Sequence, residues 1–335
     1  MLTKEERAEH WSNGADDYDW YIKQELAGFK AINWYDLIMS QCEKKEDLRI
    51  LDCGCGPGFF SVILSRNGNK VTGIDQAQGM LDRAKENADH YGVSPEFRVM
   101  DLEHIDYPDN TFDLILSRNV TWNLSEPDAV YAEWMRLLKK DGVLLVFDST
   151  WYKTLFDEEL AAEVKRRAEE YKAKYGELRG HDSDTNDSHD HVDPKTLPLS
   201  NVDRPDWDEK KFKDMGLKDI VVNRDISDHV YNDQDKLLYG ATPMFMVKGT
   251  KKAENVIRVC MAGACGRAGS GELLAYIREK LGIKQGEDFS DDGRYEAEAA
   301  ECLWLCKQPP VISVNGKLYT EADKDKTDHI LDHIS

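Results

Sequence analysis

The chain predicts an α/β protein: a helix-covered, mostly parallel sheet, followed by a second and smaller α/β domain. Three observations carry this. Apolar runs of strand length alternate with amphipathic helical stretches between residues 50 and 148, the pattern of a sheet buried on both faces. The first of these runs enters a turn with glycine at alternate positions and then an apolar helix. Beyond the polar stretch Gly249-Thr250-Lys251-Lys252-Ala253-Glu254-Asn255, strand and helix signals begin again, now with four spaced cysteines. The expected division is a first domain over residues 1–250 with an insertion at about 151–210, a linker at 251–255, and a second domain over 256–335.

The elements follow in order. Ile50-Leu51-Asp52-Cys53-Gly54-Cys55-Gly56-Pro57-Gly58 ends a strand, turns on its glycines, and feeds Phe59-Phe60-Ser61-Val62-Ile63-Leu64. Glycine permits a sharp turn and close approach of a ligand to the backbone, and the helix start behind it offers free N–H groups. Lys70-Val71-Thr72-Gly73-Ile74-Asp75 is a second strand ending in an acid, about 20 residues past the glycines, where a carboxylate can accept ribose hydroxyls. Residues 76–88 form a helix with Met80, Leu81 and Ala84 on one face. Further strands are expected at 97–101, 111–117 and 142–148, and a hairpin of 218–222 with 243–247 completes the sheet. Inside the insertion, residues 155–178 read as a long charged helix. A His- and Asp-rich run at 181–193 follows, either a polar surface loop or a metal-binding segment.

In the second domain, residues 256–260 read as a strand and 272–281 as an amphipathic helix. Residues 309–314 and 317–319 form a hairpin turned at Asn315-Gly316, and 323–334 a last helix. That order is thioredoxin-like. Its cysteines fall as Cys260-x4-Cys265 and Cys302-x3-Cys306. Zinc knuckles usually use C-x2-C pairs, whereas four thiolates are the usual set for an iron–sulfur cluster. A structural zinc site stays open as an alternative.

The spacing at residues 54–58 is G-x-G-x-G, with Phe59 where a dinucleotide fingerprint needs glycine. Asp52, Gly54, Gly56 and Gly58 instead resemble motif I of the class I S-adenosylmethionine (SAM) methyltransferases. Met100-Asp101-Leu102-Glu103 resembles the adenine-side motif of that family, and Ser117-Arg118-Asn119 its strand-four exit. The resemblance covers about residues 10–250 and implies a Rossmann-like seven-stranded sheet. It implies SAM held by Asp52, Gly54, Cys55, Gly56, Gly58, Asp75, Gln76, Met80, Asp101, Leu102 and Ser117. Tyr18, in an aromatic stretch similar to the family's lid, and Asn119 and Trp122 after strand four are the candidates near the methyl group. Tyr239 and Met244 are further candidates for reaching the pocket. No catalytic base is identified. Residues 255–335 resemble the thioredoxin-like [2Fe-2S] ferredoxins, the group that includes the 24 kDa-type subunit of NADH dehydrogenase. This implies a [2Fe-2S] cluster on Cys260, Cys265, Cys302 and Cys306, and a homodimer. Trp304-Leu305, inside the second pair, departs from the small residues common there.

The net charge of −20, from 44 basic and 64 acidic residues, argues against nucleic acid as partner. No apolar stretch suits a bilayer or a signal peptide, so the expectation is a cytoplasmic protein with no membrane partner. Three functions fit. The first is SAM-dependent methyl transfer to a small-molecule or metal-bound acceptor, coupled to or regulated by the cluster. The second is a non-enzymatic, redox-responsive SAM-binding module that docks a partner. The third is an electron-transfer subunit of a larger oxidoreductase. A reducible acceptor or a redox partner protein is implied by the first two.

Overall fold

The computed structural model describes residues 4–44, 46–176, 194–290 and 293–334. They form two compact units, Met1–Lys251 and Lys252–Ser335. The run 181–193, singled out in the sequence, lies outside the described residues.

In the first unit the elements are α1 (Lys4–Asn13), α2 (Ala15–Ala27), α3 (Lys30–Ser40), β1 (Arg49–Cys53), α4 (Phe59–Ser65), β2 (Lys70–Asp75), α5 (Gln78–Tyr91), β3 (Glu96–Val99), β4 (Phe112–Arg118), α6 (Pro127–Leu137), β5 (Leu138–Asp148), α7 (Glu158–Tyr175), α8 (Asp206–Asp214), β6 (Lys218–Asn223), α9 (Ser227–Val230), α10 (Asp233–Tyr239) and β7 (Phe245–Thr250). The strands build one seven-stranded sheet in the order β3-β2-β1-β4-β5-β7-β6. β1 pairs in parallel with both β2 and β4, and only β7 runs against its neighbours. The chain winds outward from β1 in one direction and from β4 in the other. Their carboxyl ends therefore diverge into a crevice, the usual ligand position in such sheets.

Local sequence explains these elements. β1 is buried from Ile50 to Cys53, as a central strand covered on both faces must be. α5 buries Met80, Leu81, Ala84 and Ala88 and stops at Gly92 in the left-handed conformation. α6 starts with Pro127, whose missing N–H costs nothing in a first turn. On one face of the sheet Trp34 meets Phe60 and Phe147 edge-on, at centroid distances of 5.1 and 4.9 Å. On the other, Tyr131, Trp134 and Phe212 are fully buried.

The insertion is tied down by charge rather than by apolar packing alone. The Arg204 side chain, 1% exposed, donates through Nε and Nη2 to Asp208 at 2.7 and 2.6 Å and through Nη1 to Asp148 at 3.2 Å. Its Nη2 also reaches the Thr121 hydroxyl at 2.7 Å, and the Tyr131 hydroxyl donates to Asp208 at 3.0 Å. Asp148, at the end of β5, in turn accepts from Thr121 Oγ1 at 2.5 Å and from the Trp122 N–H at 2.9 Å. Burial pushes the Asp148 carboxyl up, and Arg204 and these donors oppose it.

The second unit holds β8 (Asn255–Cys260), α11 (Gly263–Arg267), α12 (Ser270–Lys280), β9 (Tyr295–Ala300), β10 (Ile312–Val314), β11 (Lys317–Tyr319) and α13 (Lys324–Leu331). Its sheet runs β11-β10-β8-β9, with β8 and β9 parallel and the other pairs antiparallel. Leu273, Leu274 and Ile277 from α12 and Ile330 and Leu331 from α13 join Ile257, Val259 and Ile312 in one core. The expected strand–helix–hairpin–helix order lacked β9 and α11. β9 reads Tyr295-Glu296-Ala297-Glu298-Ala299-Ala300, a helix-prone composition overridden by full pairing with β8. Between the units, Lys251 still exchanges backbone hydrogen bonds with Asp141 and Gly142, and Asn255 already belongs to β8, so the connecting stretch is shorter than 251–255. No helix among the described residues is long and apolar enough to cross a membrane.

Replacing Arg204 with Met leaves Asp148 and Asp208 buried without their cation. Equilibrium urea unfolding of the first unit is expected to lose about 3–5 kcal/mol, the cost of breaking a buried ion pair from one side. A loss below about 1 kcal/mol would show that the carboxylates are neutralised by another route.

Candidate functional site

A cavity of about 1280 Å³ opens at the carboxyl ends of β1, β2 and β4. That is above the ~300–1,000 Å³ common for one small ligand. On one side it is lined by Gly54, Gly56, Asp75, Gln76, Met80 and Leu102.

Backbone geometry explains the glycines. Gly54 has φ +67, and a Cβ there would lie 2.5 Å from a Val120 methyl, so only glycine lets the turn pass so close to the loop after β4. Gly56 has φ +51 and donates its N–H to Asp75 Oδ2 at 3.0 Å. The Ala77 N–H donates to Asp75 Oδ1 at 2.9 Å. Burial pushes the Asp75 carboxyl up, against these backbone donors. The carboxylate is thus fixed in place at the cavity wall with lone pairs to spare. The Tyr18 ring, from α2, lies 3.6 Å from where a Gly56 Cβ would stand and meets Trp11 edge-on. Asp101 and Leu102 also line the cavity, but Asp101 Oδ2 already accepts from Lys4 Nζ at 2.5 Å, and Lys4 reaches Glu103 at 2.7 Å.

Asn119 lines the cavity with φ +58, its N–H bonded to the Phe147 carbonyl at 2.9 Å. Its buried Oδ1 has no hydrogen-bond partner among the described residues. The Trp122 indole N–H donates back to the Asn119 carbonyl at 2.9 Å. Tyr239 and Met244 line the same cavity.

Four of the residues assigned to SAM are not among those lining the cavity. Asp52 is fully buried and accepts from the Ser61 hydroxyl at 2.7 Å. Cys55 is buried, with its N–H on the Ile74 carbonyl at 2.9 Å, and burial pushes its thiol well up. Gly58 has φ +84, and a Cβ there would stand 3.0 Å from the Ala84 methyl, so this glycine serves the packing of α4 on α5. Ser117 is buried inside β4, in register with Cys53.

A charged pair to which the motif gave no role completes the wall. The Arg118 guanidinium pairs with Glu25 at 2.9 Å and lies 4.4 Å from the Phe59 ring centre. Glu25 also accepts from Lys30 at 3.3 Å, and Lys30 pairs with Asp235 at 3.0 Å. Arg118 and Glu25 both line the cavity. Glu25 and Lys30 read in sequence as ordinary surface charges of α2 and α3, and no local signal marks them.

In the second unit Cys260 and Cys265 are buried in a small cluster with Val311, while Cys302 is partly buried and Cys306 exposed. Burial alone would raise the Cys260 thiol. The N–H groups of Leu303 and Ala262 and the Cys265 and Cys302 thiols outweigh it and hold it below its ordinary value. Cys265 is raised, first by burial and then by Cys260, with Cys306 adding to the effect. Cys260 thus interacts with Cys265 and Cys302, and Cys265 with Cys306. Trp304 donates its N–H to Cys302 Sγ at 3.4 Å, has φ +61, and is 86% exposed.

Comparison with known proteins agrees with this arrangement. Residues 51–146 match the family model of a methyltransferase domain, and residues 241–335 match that of the thioredoxin-like [2Fe-2S] ferredoxins. Both resemblances drawn from the motifs are thereby borne out. A phosphatidylethanolamine N-methyltransferase of Cereibacter sphaeroides is 36% identical over 100 residues, covering 29% of this chain and 49% of that protein. A phosphoethanolamine N-methyltransferase of Triticum aestivum is 34% identical over 124 residues, covering 37% of this chain and 25% of that one. The chain thus spans from a quarter to a half of the length of these curated relatives. Among solved structures, a putative SAM-dependent methyltransferase from Methanococcus maripaludis aligns with a TM-score of 0.46 at 18% identity, covering 71% of this chain and 92% of that one.

Asp52 yields a pH-dependent prediction. Burial, the largest cause, pushes its carboxyl from 3.8 up to about 6, against the Ser61 hydrogen bond and Arg118. A raised folded value means that the neutral acid is the form the fold prefers. This contribution is complete below about pH 4 and is lost as pH rises through about 6. Asp52→Asn carries no such loss. Between pH 4.5 and pH 8 its stability relative to wild type should shift in its favour by about 1–3 kcal/mol, measured by urea unfolding at each pH. A flat difference would place the Asp52 titration near that of the unfolded chain.

Proposed function

We propose that this chain transfers a methyl group from SAM to a small-molecule acceptor in the cavity of the first unit, and that the second unit carries a [2Fe-2S] cluster to which the transfer is coupled. The observation that carries the first part is one cavity large enough for donor and acceptor together, bounded on one side by the left-handed glycines, the fixed Asp75 carboxylate and the unpartnered Asn119 Oδ1. The methyltransferase-domain match and the named relatives support the same reading.

SAM supplies, when bound, a methyl group already activated on a sulfonium. The protein has to bind, orient and exclude water. Asp75 would accept the ribose hydroxyls, and the Gly54–Gly56 backbone lets the donor lie against the main chain. Met80 and Leu102 offer apolar surface for the adenine, and Tyr18 closes over the turn. Asp101 has to share its carboxylate between Lys4 and the adenine amine. Asn119, with its backbone pinned, presents an acceptor oxygen at the end of β4. Trp122 shapes the adjoining wall. Positioning of this kind supplies most of what a methyl transfer needs, and the acceptor's proton, where it has one, leaves to a base.

Cys260, Cys265, Cys302 and Cys306 would hold the cluster. The match of residues 241–335 to the thioredoxin-like [2Fe-2S] ferredoxins supports iron over zinc here. In this reading the protein works in the cytoplasm and exchanges electrons with a partner protein, and the cluster's oxidation state sets whether the acceptor is methylated.

Asp75→Ala is expected to lose at least about 30-fold in S-adenosylhomocysteine affinity by calorimetry, two charge-assisted hydrogen bonds being worth about 2 kcal/mol or more, with the far-ultraviolet spectrum unchanged. Undiminished affinity would remove Asp75 from the donor site. Anaerobically purified protein is expected to carry two iron atoms and two sulfides per chain with visible absorbance, both lost in Cys302→Ala. Zinc in place of iron would overturn the cluster.

A further inference from the structure

The charges lining the cavity are divided by origin. Among the described residues, all of the lining carboxylates, ammonium and guanidinium groups belong to residues 4–118, among them Arg7, Glu25, Asp75, Asp101 and Arg118. Among the described residues, the twelve that line it from Trp151 to Met244 carry no carboxylate, ammonium, guanidinium or imidazole. They come from the insertion and from the chain leading into β7. Leu155, Val164, Leu238 and Met244 give aliphatic surface there, and Trp151, Tyr152, Tyr231 and Tyr239 give rings.

The rings fall into two groups along this wall. Trp122 meets Tyr152 edge-on at 5.0 Å, Trp151 meets Tyr239 edge-on at 6.1 Å, and Tyr239 packs against Tyr231 at 5.6 Å. Both indole N–H groups are already engaged, Trp122 with the Asn119 carbonyl at 2.9 Å and Trp151 with Asp148 Oδ1 at 3.2 Å. What the two tryptophans offer a ligand is therefore ring surface and not a donor. Aromatic faces of this kind favour a flat ring, by offset or edge contact, or a cation.

Charge decides between the two. A cation taken out of water needs a carboxylate close by. Of the carboxylates around this wall, Asp148, bonded to the Trp151 indole at 3.2 Å, is paired with Arg204 at 3.2 Å, and the cavity-lining Glu25 is shared by Arg118 at 2.9 Å and Lys30 at 3.3 Å. Lys30 itself sits over the Tyr21 and Tyr231 rings, at 5.3 and 5.9 Å. The cation-binding capacity of this side is thus used by the protein's own side chains, and Arg118 repels a further positive charge. A phosphorylated acceptor, for its part, finds no guanidinium or ammonium among the described residues of the insertion that line the cavity.

We propose that the methyl acceptor is a neutral molecule built on a planar ring, seated against the Trp122–Tyr152 and Trp151–Tyr239 wall, with the insertion as its specificity element. This rests on the methyl-transfer reading and adds the substrate class to it. The cavity, at about 1280 Å³, has the volume for such a ring beside a nucleoside-sized donor on the Gly54–Asp75 side.

The test uses the full chain saturated with S-adenosylhomocysteine, and 2-naphthol, choline and phosphoethanolamine as probes in equilibrium dialysis. Binding of 2-naphthol is expected, with no measurable binding of the other two at tenfold higher concentration. Trp151→Ala should weaken 2-naphthol at least tenfold, and Leu155→Glu, which adds a charge and removes no ring, about fivefold. Both should hold S-adenosylhomocysteine within twofold of wild type, which also reports an intact fold. Preference for choline or phosphoethanolamine overturns the proposal, as does 2-naphthol binding that neither substitution changes. Failure of S-adenosylhomocysteine itself to bind wild type would instead remove the donor site and the methyl-transfer reading with it.

Discussion

The first unit depends on one buried guanidinium. Arg204 joins the end of β5, through Asp148, to the start of α8, through Asp208, and the Thr121 hydroxyl closes the ring of contacts. Without it, two carboxylates would sit in a volume that tolerates neither. With it, three chain segments far apart in sequence are held to one geometry. Asp148 then passes that geometry to the cavity: its oxygens fix the Trp122 backbone and the Trp151 indole. The cavity's aromatic wall is therefore set by an ion network that does not itself line it. Exchange for apolar residues of equal volume could leave stability intact, but it would release the directional bonds that hold both tryptophans.

A second division of labour follows from where the charge lies. Among the described residues that line the cavity, those before β5 provide every ionised group, and those after it add ring and aliphatic surface but no charge. The first part is the segment most constrained by sheet topology, since carboxylates at successive strand ends must face one crevice. The second is an excursion from the sheet and free to vary in composition. A common donor site with an adaptable acceptor site is what such an arrangement permits.

The parts visible in the sequence were those governed by local rules. Strand runs, the left-handed glycines, Asp75 at a strand end and the Asn315-Gly316 hairpin each follow from a few adjacent residues. What the sequence hid was set by distant partners. Glu25 and Lys30 look like solvated helix charges until Arg118 and Asp235 arrive beside them. Arg204 lies in a stretch with no period at all. Strand β9 carries alanines and glutamates and becomes a strand because β8 offers an open edge. Asp52, Cys55, Gly58 and Ser117 were assigned to the donor by their place in a motif. A motif registers which residues the turn needs, including those that hold it from behind.

Trp304 has one more consequence. The chain has eight tryptophans, and seven of them, from Trp11 to Trp207, fall in the first unit. Trp304 is alone in the second, almost wholly in water, with its amide on a cysteine sulfur. Its emission belongs at the long-wavelength edge of the spectrum, with that of Trp20, 44% exposed, and apart from the buried Trp34 and Trp134. With Trp20 replaced by Phe, the chain would carry its own optical gauge of what the four thiols hold, without a label.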